Sequence, residues 1–365
     1  MEDLFYIAEQ FAVDGRIADI RELGNGNIND TFLVMLDART EKHFILQRIN
    51  TRVFVDPELV MHNMRIATEH MRSRLELRPP GKSRRWEIPA VLLTRDGRAH
   101  LRGSDGSFWR GLSFIEGCRS FETISDERHA EEVGYALGMF HTLLSDLLPD
   151  KLADTLEGFH ITPRYLRHYD EVLARHSAPG SPEIDYCVRF VNDRSRWAQV
   201  LEDAKKRGSL PLRPIHGDPK VDNIMIDAVT GQAAGIVDLD TVKPGLVHYD
   251  IGDCLRSGCN RSGEETMAWE EVVFDTDICR AIFRGYLADA RRFLTEDDFA
   301  YLYDAVRLIA FELGLRFFTD FLEGDVYFKV KQPEHNLVRA LVQFRLAGSI
   351  ESQEAAIRKI IRDLR

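Results

Sequence analysis

Cysteine is scarce in this chain of 365 residues: Cys118, Cys187, Cys254, Cys259 and Cys279 are the only ones, and no two form a CxxC pair. An odd count without paired spacing argues against a disulfide framework or a structural zinc site. It fits a reducing compartment, so a cytoplasmic location is expected. Long uncharged apolar runs are also missing. The most apolar helix expected, around Leu308 to Phe321, carries Glu312, Arg316 and Asp320, which speaks against a membrane span. The first residues, Met1-Glu2-Asp3-Leu4-Phe5, are acidic where a secretory leader would be basic. Positive charge is in deficit, 48 Lys+Arg against 59 Asp+Glu, for a formal net charge of −11. Such a surface suits nucleic acid poorly, because phosphate backbones are gripped by clustered Lys and Arg. An anionic nucleotide remains possible, since backbone dipoles or a metal ion can hold it locally. Internal repeats and low-complexity segments are absent.

What is present is an ordinary globular balance, 44% hydrophobic and 29% charged, long enough for two domains or one bilobal one. The first hundred or so residues read as strands punctuated by turns: Ile17–Leu23, Thr31–Leu36 and His43–Ile49, then Ile88–Thr94, Ala99–Leu101 and Ser107–Phe114. The links are short, so the sheet should be antiparallel. One helix interrupts it, beginning near Pro57, running from Leu59 to Leu75 and stopped by Pro79-Pro80-Gly81. After Phe114-Ile115-Glu116-Gly117 the period changes to helical. Ala130, Val133, Leu137, Phe140 and Leu144 share a face, and further helices are expected over 163–176, 183–207, 277–293, 297–322 and 335–348, with another from 351. Loop and short strands are expected over Leu210–Asp218, Asn223–Asp227 and Gly235–Leu239. The reading is an α+β bilobal protein: a β-rich lobe over 1–115, a helical lobe over 116–365, and a ligand cleft between them.

The chemistry is concentrated in His216-Gly217-Asp218-Pro219-Lys220-Val221-Asp222-Asn223, followed by the apolar Ile224-Met225-Ile226 and then Ile236-Val237-Asp238. Gly-Asp-Pro alone is a turn signal, and an Asp can simply end a strand. An Asn five residues after the Asp, an apolar strand and a further Asp form the order used by protein-kinase-type phosphotransferases. In that order Asp218 would orient an attacking hydroxyl. Asn223 and Asp238 would hold Mg2+ against the nucleotide phosphates. Two supporting elements lie upstream. The turn Gly24-Asn25-Gly26-Asn27 between strands could lay backbone N–H groups over phosphates, although Asn-Gly is also a common hairpin turn. On the third strand, Phe44-Ile45-Leu46-Gln47-Arg48 puts Gln47 where a phosphate-contacting Lys is expected, and alternation points Arg48 to the other face. Glu58 and Glu69, on the helix after Pro57, read as solvated face residues.

These motifs together resemble the aminoglycoside phosphotransferase/choline kinase superfamily, and within it the bacterial N-acetylhexosamine 1-kinases. The resemblance runs nearly end to end. It includes Gly24-x-Gly26-x-Ile28-Asn29, Ile45-Leu46-Gln47, Asp238-Leu239-Asp240-Thr241 and Asp250-x-Gly252-Asp253-x-x-Arg256. It continues through Gly314-Leu315-Arg316-Phe317, Leu322-Glu323-Gly324-Asp325-Val326-Tyr327-Phe328 and Pro333-Glu334-His335-Asn336. Those kinases also carry Gln after the third-strand Ile-Leu. The resemblance implies a protein-kinase-like fold with ATP and Mg2+ as cofactors. It makes Asp218 the catalytic base and Asn223 and Asp238 the metal ligands. Gly24, Gly26, Asn27, Gln47, Phe114 and Glu116 would line the ATP site, and Arg316 and Tyr327 would bind the sugar. The glycine turn departs from its relatives, which carry Asp and His at the two Asn positions, and this leaves the choice of sugar open.

Two readings of the C-terminal residues stand side by side. Arg316 and Asp320, four apart on a helix, could simply pair with each other. Tyr327 could pack in the core or lie on the apolar face of a sugar. His141, His248 and His335 have no metal-ligand spacing and read as structural. Asp250 and Asp253 read as braces for the catalytic loop. The expected partners are a nucleotide and a small-molecule sugar, with neither nucleic acid nor membrane; the oligomeric state is left open. Alternatives are a kinase of another hydroxyl compound (a different sugar, an aminoglycoside, a choline-like alcohol) or a pseudokinase that only binds.

Overall fold

The computed structural model describes residues 4–23, 28–38, 42–81, 84–175 and 180–365. Gly24, Gly26 and Asn27 lie outside the described residues. A short helix α1 (Leu4–Glu9) leads into the antiparallel strands β1 (Arg16–Glu22), β2 (Asp30–Asp37) and β3 (His43–Ile49). Alternation along them buries Val34, Leu36, Phe44 and Leu46 with Ile7, Phe11 and Trp109 in a small core of their own. Helix α2 (Pro57–Leu77) follows, with Asp56 capping the amide of Leu59 and Pro57 in its first turn. The sheet is completed by β4 (Val91–Leu92), β5 (Leu101–Arg102) and β6 (Phe108–Ser113), in the order β1-β2-β3-β6-β4 with β5 also on β6.

The strand expected over 88–94 is cut to the two residues of β4. Pro89 has no N–H to give, the carbonyl of Pro89 accepts from Arg72 Nη2 at 2.8 Å, and the amide of Glu87 donates to Ala234 O at 2.7 Å. Only Ala90 of the lost part still reaches β6, its carbonyl accepting from Ser113 N at 2.8 Å.

Beyond Ser113 the chain leaves the first sheet. Strand β7 (Cys118–Arg119) pairs with a later strand, and α3 (Glu127–Leu144), α4 (Thr162–Arg175), α5 (Pro182–Arg194) and α6 (Val200–Lys206) follow. A single helix over 183–207 was expected. A 3-10 turn at Ser195–Gln199 breaks it and brings Trp197 inward, stacked under the guanidinium of Arg307. Then come β8 (Arg213–Ile215), the hairpin β9 (Ile224–Asp227) and β10 (Ala233–Ile236), and β11 (Lys243–Gly245), which pairs with β8. Helices α7 (Val247–Gly258), α8 (Thr276–Ala290), α9 (Glu296–Glu323), α10 (His335–Ser352) and α11 (Glu354–Leu364) complete the lobe. A Thr295–Asp298 capping box starts α9 and Gly324, at φ 89°, ends it.

Their apolar faces form one large core around Phe140, Tyr249, Phe283, Phe311 and Phe344. Helix α2 joins the halves: Met61 packs with Phe108 beneath the sheet, while Met64, Ala67 and Met71 enter the large core. The protein is therefore a β-rich lobe against a helical lobe.

Candidate active site

Hairpin geometry builds the site. Ile224 on β9 stands opposite Ile236 on β10, so the residues flanking that pair meet at one end: Val237 N donates to Asn223 O at 2.9 Å. Asp238, fifteen positions along the chain, thereby becomes a neighbour of Asn223. It adopts the left-handed conformation, φ 64°, one residue before a 3-10 turn. Such a backbone is unfavourable for a residue with a Cβ and is held by its surroundings.

The loop carrying Asp218 is tied from several sides. Asp250 on α7 accepts the amides of His216 and Gly217 at 2.6 and 2.8 Å and the Nε2 of His141 at 2.8 Å. Burial alone would raise the Asp250 carboxyl, but the His141 hydrogen bond and charge hold it below the usual range. His216 Nε2 donates to Val237 O at 2.9 Å, while its Nδ1 accepts from Asp218 N at 3.3 Å. That pair of roles requires the neutral ring, in keeping with the lowering of its pKa by burial. His160 is the opposite case. Nδ1 meets Glu312 Oε1 at 2.9 Å and Nε2 meets Gly217 O at 2.7 Å, so both nitrogens donate. Burial opposes its charge, yet Glu312 overcomes this and raises its pKa. Finally, Thr241 Oγ1 donates to His216 O at 2.7 Å, clasping the Asp218 loop to the Asp238 loop.

Asn223 Nδ2 donates to Asp218 O at 2.7 Å and lies 3.4 Å from Asp218 Oδ2. This commits the Nδ2 side of the amide to Asp218, and Oδ1 has no hydrogen-bond donor among the described residues. Burial raises the Asp218 carboxyl, Lys220 opposes that, and Asp253 adds to it; the net direction is upward. Asp238 is also pushed up, by the dense protein on its inner side and then by Asp240 and Asp218. Crowded carboxylates beside a free amide oxygen are a set that a divalent cation would relieve, so Asn223 and Asp238 fit a Mg2+ ion. Among the described residues, no group of three or more His, Cys, Asp or Glu could hold a metal ion.

Lys220 was not singled out from sequence. Its Nζ lies 3.1 Å from Asp222 Oδ2. Burial works against its charge, but Asp218, Asp222, Glu264 and Asp238 hold its ammonium above the usual lysine range. The signal was its place two residues after Asp218.

Gln47 reaches the same region through partners that sequence spacing could not reveal. Its Oε1 accepts Nε and Nη2 of Arg110 at 2.9 and 2.6 Å, and Arg110 Nη2 lies 2.5 Å from Asp240 Oδ1. Phe114 and Glu116 form a separate cluster at the connector. The Phe114 ring lies edge-on to His43 at 5.4 Å, and His43 Nδ1 meets Glu116 Oε1 at 2.7 Å. Arg85 Nη2 donates to Glu116 O at 2.5 Å, so that carbonyl is already engaged. Glu58 and Glu69 are surface residues paired with Arg102 and Arg65.

On the other side of Asp218, Arg316 does not pair with Asp320. That carboxylate instead accepts the amides of Tyr327 and Phe328 at 2.7 and 2.9 Å and the Nδ2 of Asn336 at 2.9 Å. Arg316 has no carboxylate ion pair among the described residues. Its guanidinium lies 5.1 to 6.0 Å from the ring centres of Phe159, Tyr165, Tyr327 and Phe328. Burial opposes its charge, while Tyr165, Tyr327, Glu312 and Asp218 raise its pKa. Tyr327 is 47% exposed. Asp253, against Arg256 at 2.8 Å, keeps its Oδ2 buried without a donor.

Residues 19–286 match the model of the phosphotransferase enzyme family. Among solved structures, the fold is similar to an aminoglycoside phosphotransferase from Alicyclobacillus acidocaldarius subsp. acidocaldarius DSM 446, with TM-score 0.60 and 16% identity over 98% of this chain and 95% of that one. It is similar to a microcompartment-associated aminopropanol kinase, with TM-score 0.61 and 16% identity over 97% of each chain. A choline kinase from Cryptosporidium parvum Iowa II matches with TM-score 0.57 and 11% identity, over 94% of this chain and 91% of that one. At these identities the likeness establishes the fold.

Proposed function

The chain belongs to the phosphotransferase enzyme family, and from that premise we propose that it transfers the γ-phosphoryl group of ATP to a sugar hydroxyl, the anomeric 1-OH of an N-acetylhexosamine. Residues 1–115 form the nucleotide lobe and 116–365 the catalytic lobe in this reading. Gly24, Gly26, Asn27, Gln47, Phe114 and Glu116 are the residues assigned to the nucleotide in this reading, by their resemblance to the kinase motifs.

Asp218 accepts a hydrogen bond from the acceptor hydroxyl and takes its proton as the oxygen attacks the γ-phosphorus. The bond from that phosphorus to the bridging oxygen breaks, and ADP leaves with its electron pair. The upward push on the Asp218 carboxyl makes it a better base than a free aspartate. Held by Asn223 and Asp238, Mg2+ would supply charge neutralisation on the nucleotide phosphates. Lys220 offsets the carboxylates around it, so phosphate oxygens can approach. His160, Asp250 and Thr241 act by keeping the Asp218 loop in place. Most of the rate therefore comes from positioning and electrostatics.

The observation that carries the choice of acceptor is Arg316. A guanidinium with no carboxylate ion pair among the described residues, set among aromatic rings, repels the cation of an aminoglycoside or a choline-like alcohol. The ring faces around it suit the apolar face of a neutral sugar, and its N–H groups suit hydroxyl and acyl oxygens. The cysteines are free and no described helix is long and apolar enough to cross a membrane; both agree with a cytoplasmic enzyme. ADP release measured with N-acetylglucosamine, N-acetylgalactosamine, galactose, choline and kanamycin tests the reading. Turnover with the N-acetylhexosamines is expected. Turnover confined to choline or kanamycin would reverse the acceptor assignment, and MgATP binding without transfer to any of them would favour a pseudokinase.

A further inference from the structure

The cation missing from β3 lies on the neighbouring strand. Arg110 of β6 stands directly across the ladder from Gln47 and is wholly buried. Two of its N–H donors converge on Gln47 Oε1, at 2.9 and 2.6 Å. That settles which way the amide faces: carbonyl toward Arg110, amino group away from it. Gln47 Nε2 then gives one hydrogen to Thr31 Oγ1 at 3.0 Å. Its second N–H has no acceptor among the described residues. A guanidinium bonded to the carbonyl also polarises the amide and strengthens that remaining donor.

The same guanidinium reaches the metal-side loop. Nη2 lies 2.5 Å from Asp240 Oδ1, the two side chains being 0% and 3% exposed. Asn29 Nδ2 holds the other oxygen, Oδ2, at 2.6 Å, and Asn29 Oδ1 is itself fixed by Asn50 N at 2.9 Å. Asp240, two residues after Asp238, is thus held at Oδ2 by the hydrogen bond from Asn29 and at Oδ1 by the charge of Arg110, an ion pair without hydrogen-bond geometry. On α2, protein kinases place a Glu to pair with the third-strand Lys. Here Arg110 Nη1 instead faces Met61 Sδ and Met64 Sδ at 4.0 and 3.9 Å. The pairing has been rebuilt with its charges relocated: a neutral donor in front, the cation behind it, and the carboxylate on the opposite lobe.

We propose that Arg110 is a positioning residue that takes over the task of the third-strand lysine, aiming the Gln47 amide at the nucleotide phosphates and pinning the Asp238–Asp240 loop to the nucleotide lobe. This rests on the ATP-kinase reading above. Only arginine can do both, because the task needs several coplanar donors where lysine offers a point charge.

The test compares wild type, Gln47→Ala, Arg110→Gln and the exchanged double variant Gln47→Arg/Arg110→Gln, by steady-state kinetics, calorimetric MgATP titration and thermal melting. For Gln47→Ala the loss should appear in the KM for MgATP, roughly 10- to 100-fold as for a charge-assisted hydrogen bond. The acceptor KM should hardly move, while the melting temperature should fall, because the buried Arg110 loses the acceptor of two of its donors. Arg110→Gln should show the same loss together with a lower melting temperature, since it strands Asp240. The exchanged pair, which keeps an amide and a guanidinium facing each other across the ladder with their strands reversed, should recover most of the nucleotide affinity by presenting the cation itself. Gln47→Ala binding MgATP as tightly as wild type overturns the proposal alone. So does an exchanged variant that melts like wild type yet keeps the weak binding of Arg110→Gln. No MgATP binding by wild type would remove the kinase reading and this inference with it.

Discussion

Gly217→Ala is the substitution whose cost can be worked most fully from the geometry. Gly217 sits at φ 89°, a conformation that an alanine enters at a cost of about 1–2 kcal/mol. A Cβ there would lie 2.8 Å from Thr241 O, 2.9 Å from Thr241 Cβ and 3.0 Å from Thr241 Oγ1, and the first two distances are too short to persist. The Thr241 loop must back away, which sacrifices its 2.7 Å hydrogen bond to His216 O, worth about 1 kcal/mol. Together these give a loss of about 2–3 kcal/mol. The functional loss should be larger in proportion. Asp218 follows Gly217 and Asp238 precedes Thr241 by three positions, so the clash drives the base away from the metal-side carboxylate. A displacement approaching 1 Å costs about a hundredfold in rate. Urea denaturation followed by tryptophan fluorescence reads the first quantity, and initial rates at saturating substrates read the second. Stability within about 0.5 kcal/mol of wild type, with a rate also unchanged, would refute the claim that this contact sets the spacing of the two loops.

Other variants separate the roles. Asp218→Asn should lower turnover by about 10²–10⁴-fold, the weight of a general base. Thermal melting should show no loss of stability, because burial and Asp253 already disfavour that charge; near-wild-type turnover would remove Asp218 from the mechanism. Arg316→Ala should raise the acceptor KM by roughly 10- to 100-fold and leave the KM for MgATP alone, and a change in the nucleotide KM instead would move Arg316 out of the acceptor site. The His160–Glu312 pair predicts a pH dependence of stability. The His160 pKa is raised in the fold, so its contribution is complete below its ordinary value of 6.5 and fades as pH rises through the folded value. The Glu312 pKa is lowered, so its contribution is complete above 4.5 and fades as pH falls through the folded value. Melting temperature should therefore be higher at about pH 6 than at about pH 9, and Glu312→Gln should flatten that slope. A slope unchanged by Glu312→Gln would show that the pair is not its source.

The parts of the fold legible in the sequence are those with local signals. Asp56-Pro57 starts α2, Thr295 and Asp298 cap α9, Gly324 ends it, and alternation marks β2 and β3. Helix α7 escaped because it is buried almost all round: His248, Asp250, Asp253 and Arg256 are inside together with Val247, Tyr249, Ile251, Cys254 and Leu255, which erases the one-sided apolar period that announces a helix. The break at Ser195–Gln199 escaped for the reverse reason, since the apolar pattern runs through it and only the tertiary placement of Trp197 explains it. At the site, the His216–Asn223 segment is contiguous and its Asp218 and Asn223 could be read directly, whereas Lys220 within it was passed over because its role depends on the carboxylates the fold gathers around it. Arg110 could not, because its partners Gln47 and Asp240 lie 63 and 130 positions away along the chain and meet it only through strand register and lobe contact.

The most direct test of the account is phosphorus NMR of the wild-type protein incubated with MgATP and N-acetylglucosamine or N-acetylgalactosamine. The account predicts ADP together with a new sugar phosphate resonance coupled to the anomeric proton, absent when Asp218→Asn replaces wild type. A phosphomonoester at another hydroxyl would contradict the regiochemistry. ATP left intact with both sugars, by a protein that binds it, would contradict the proposed acceptor.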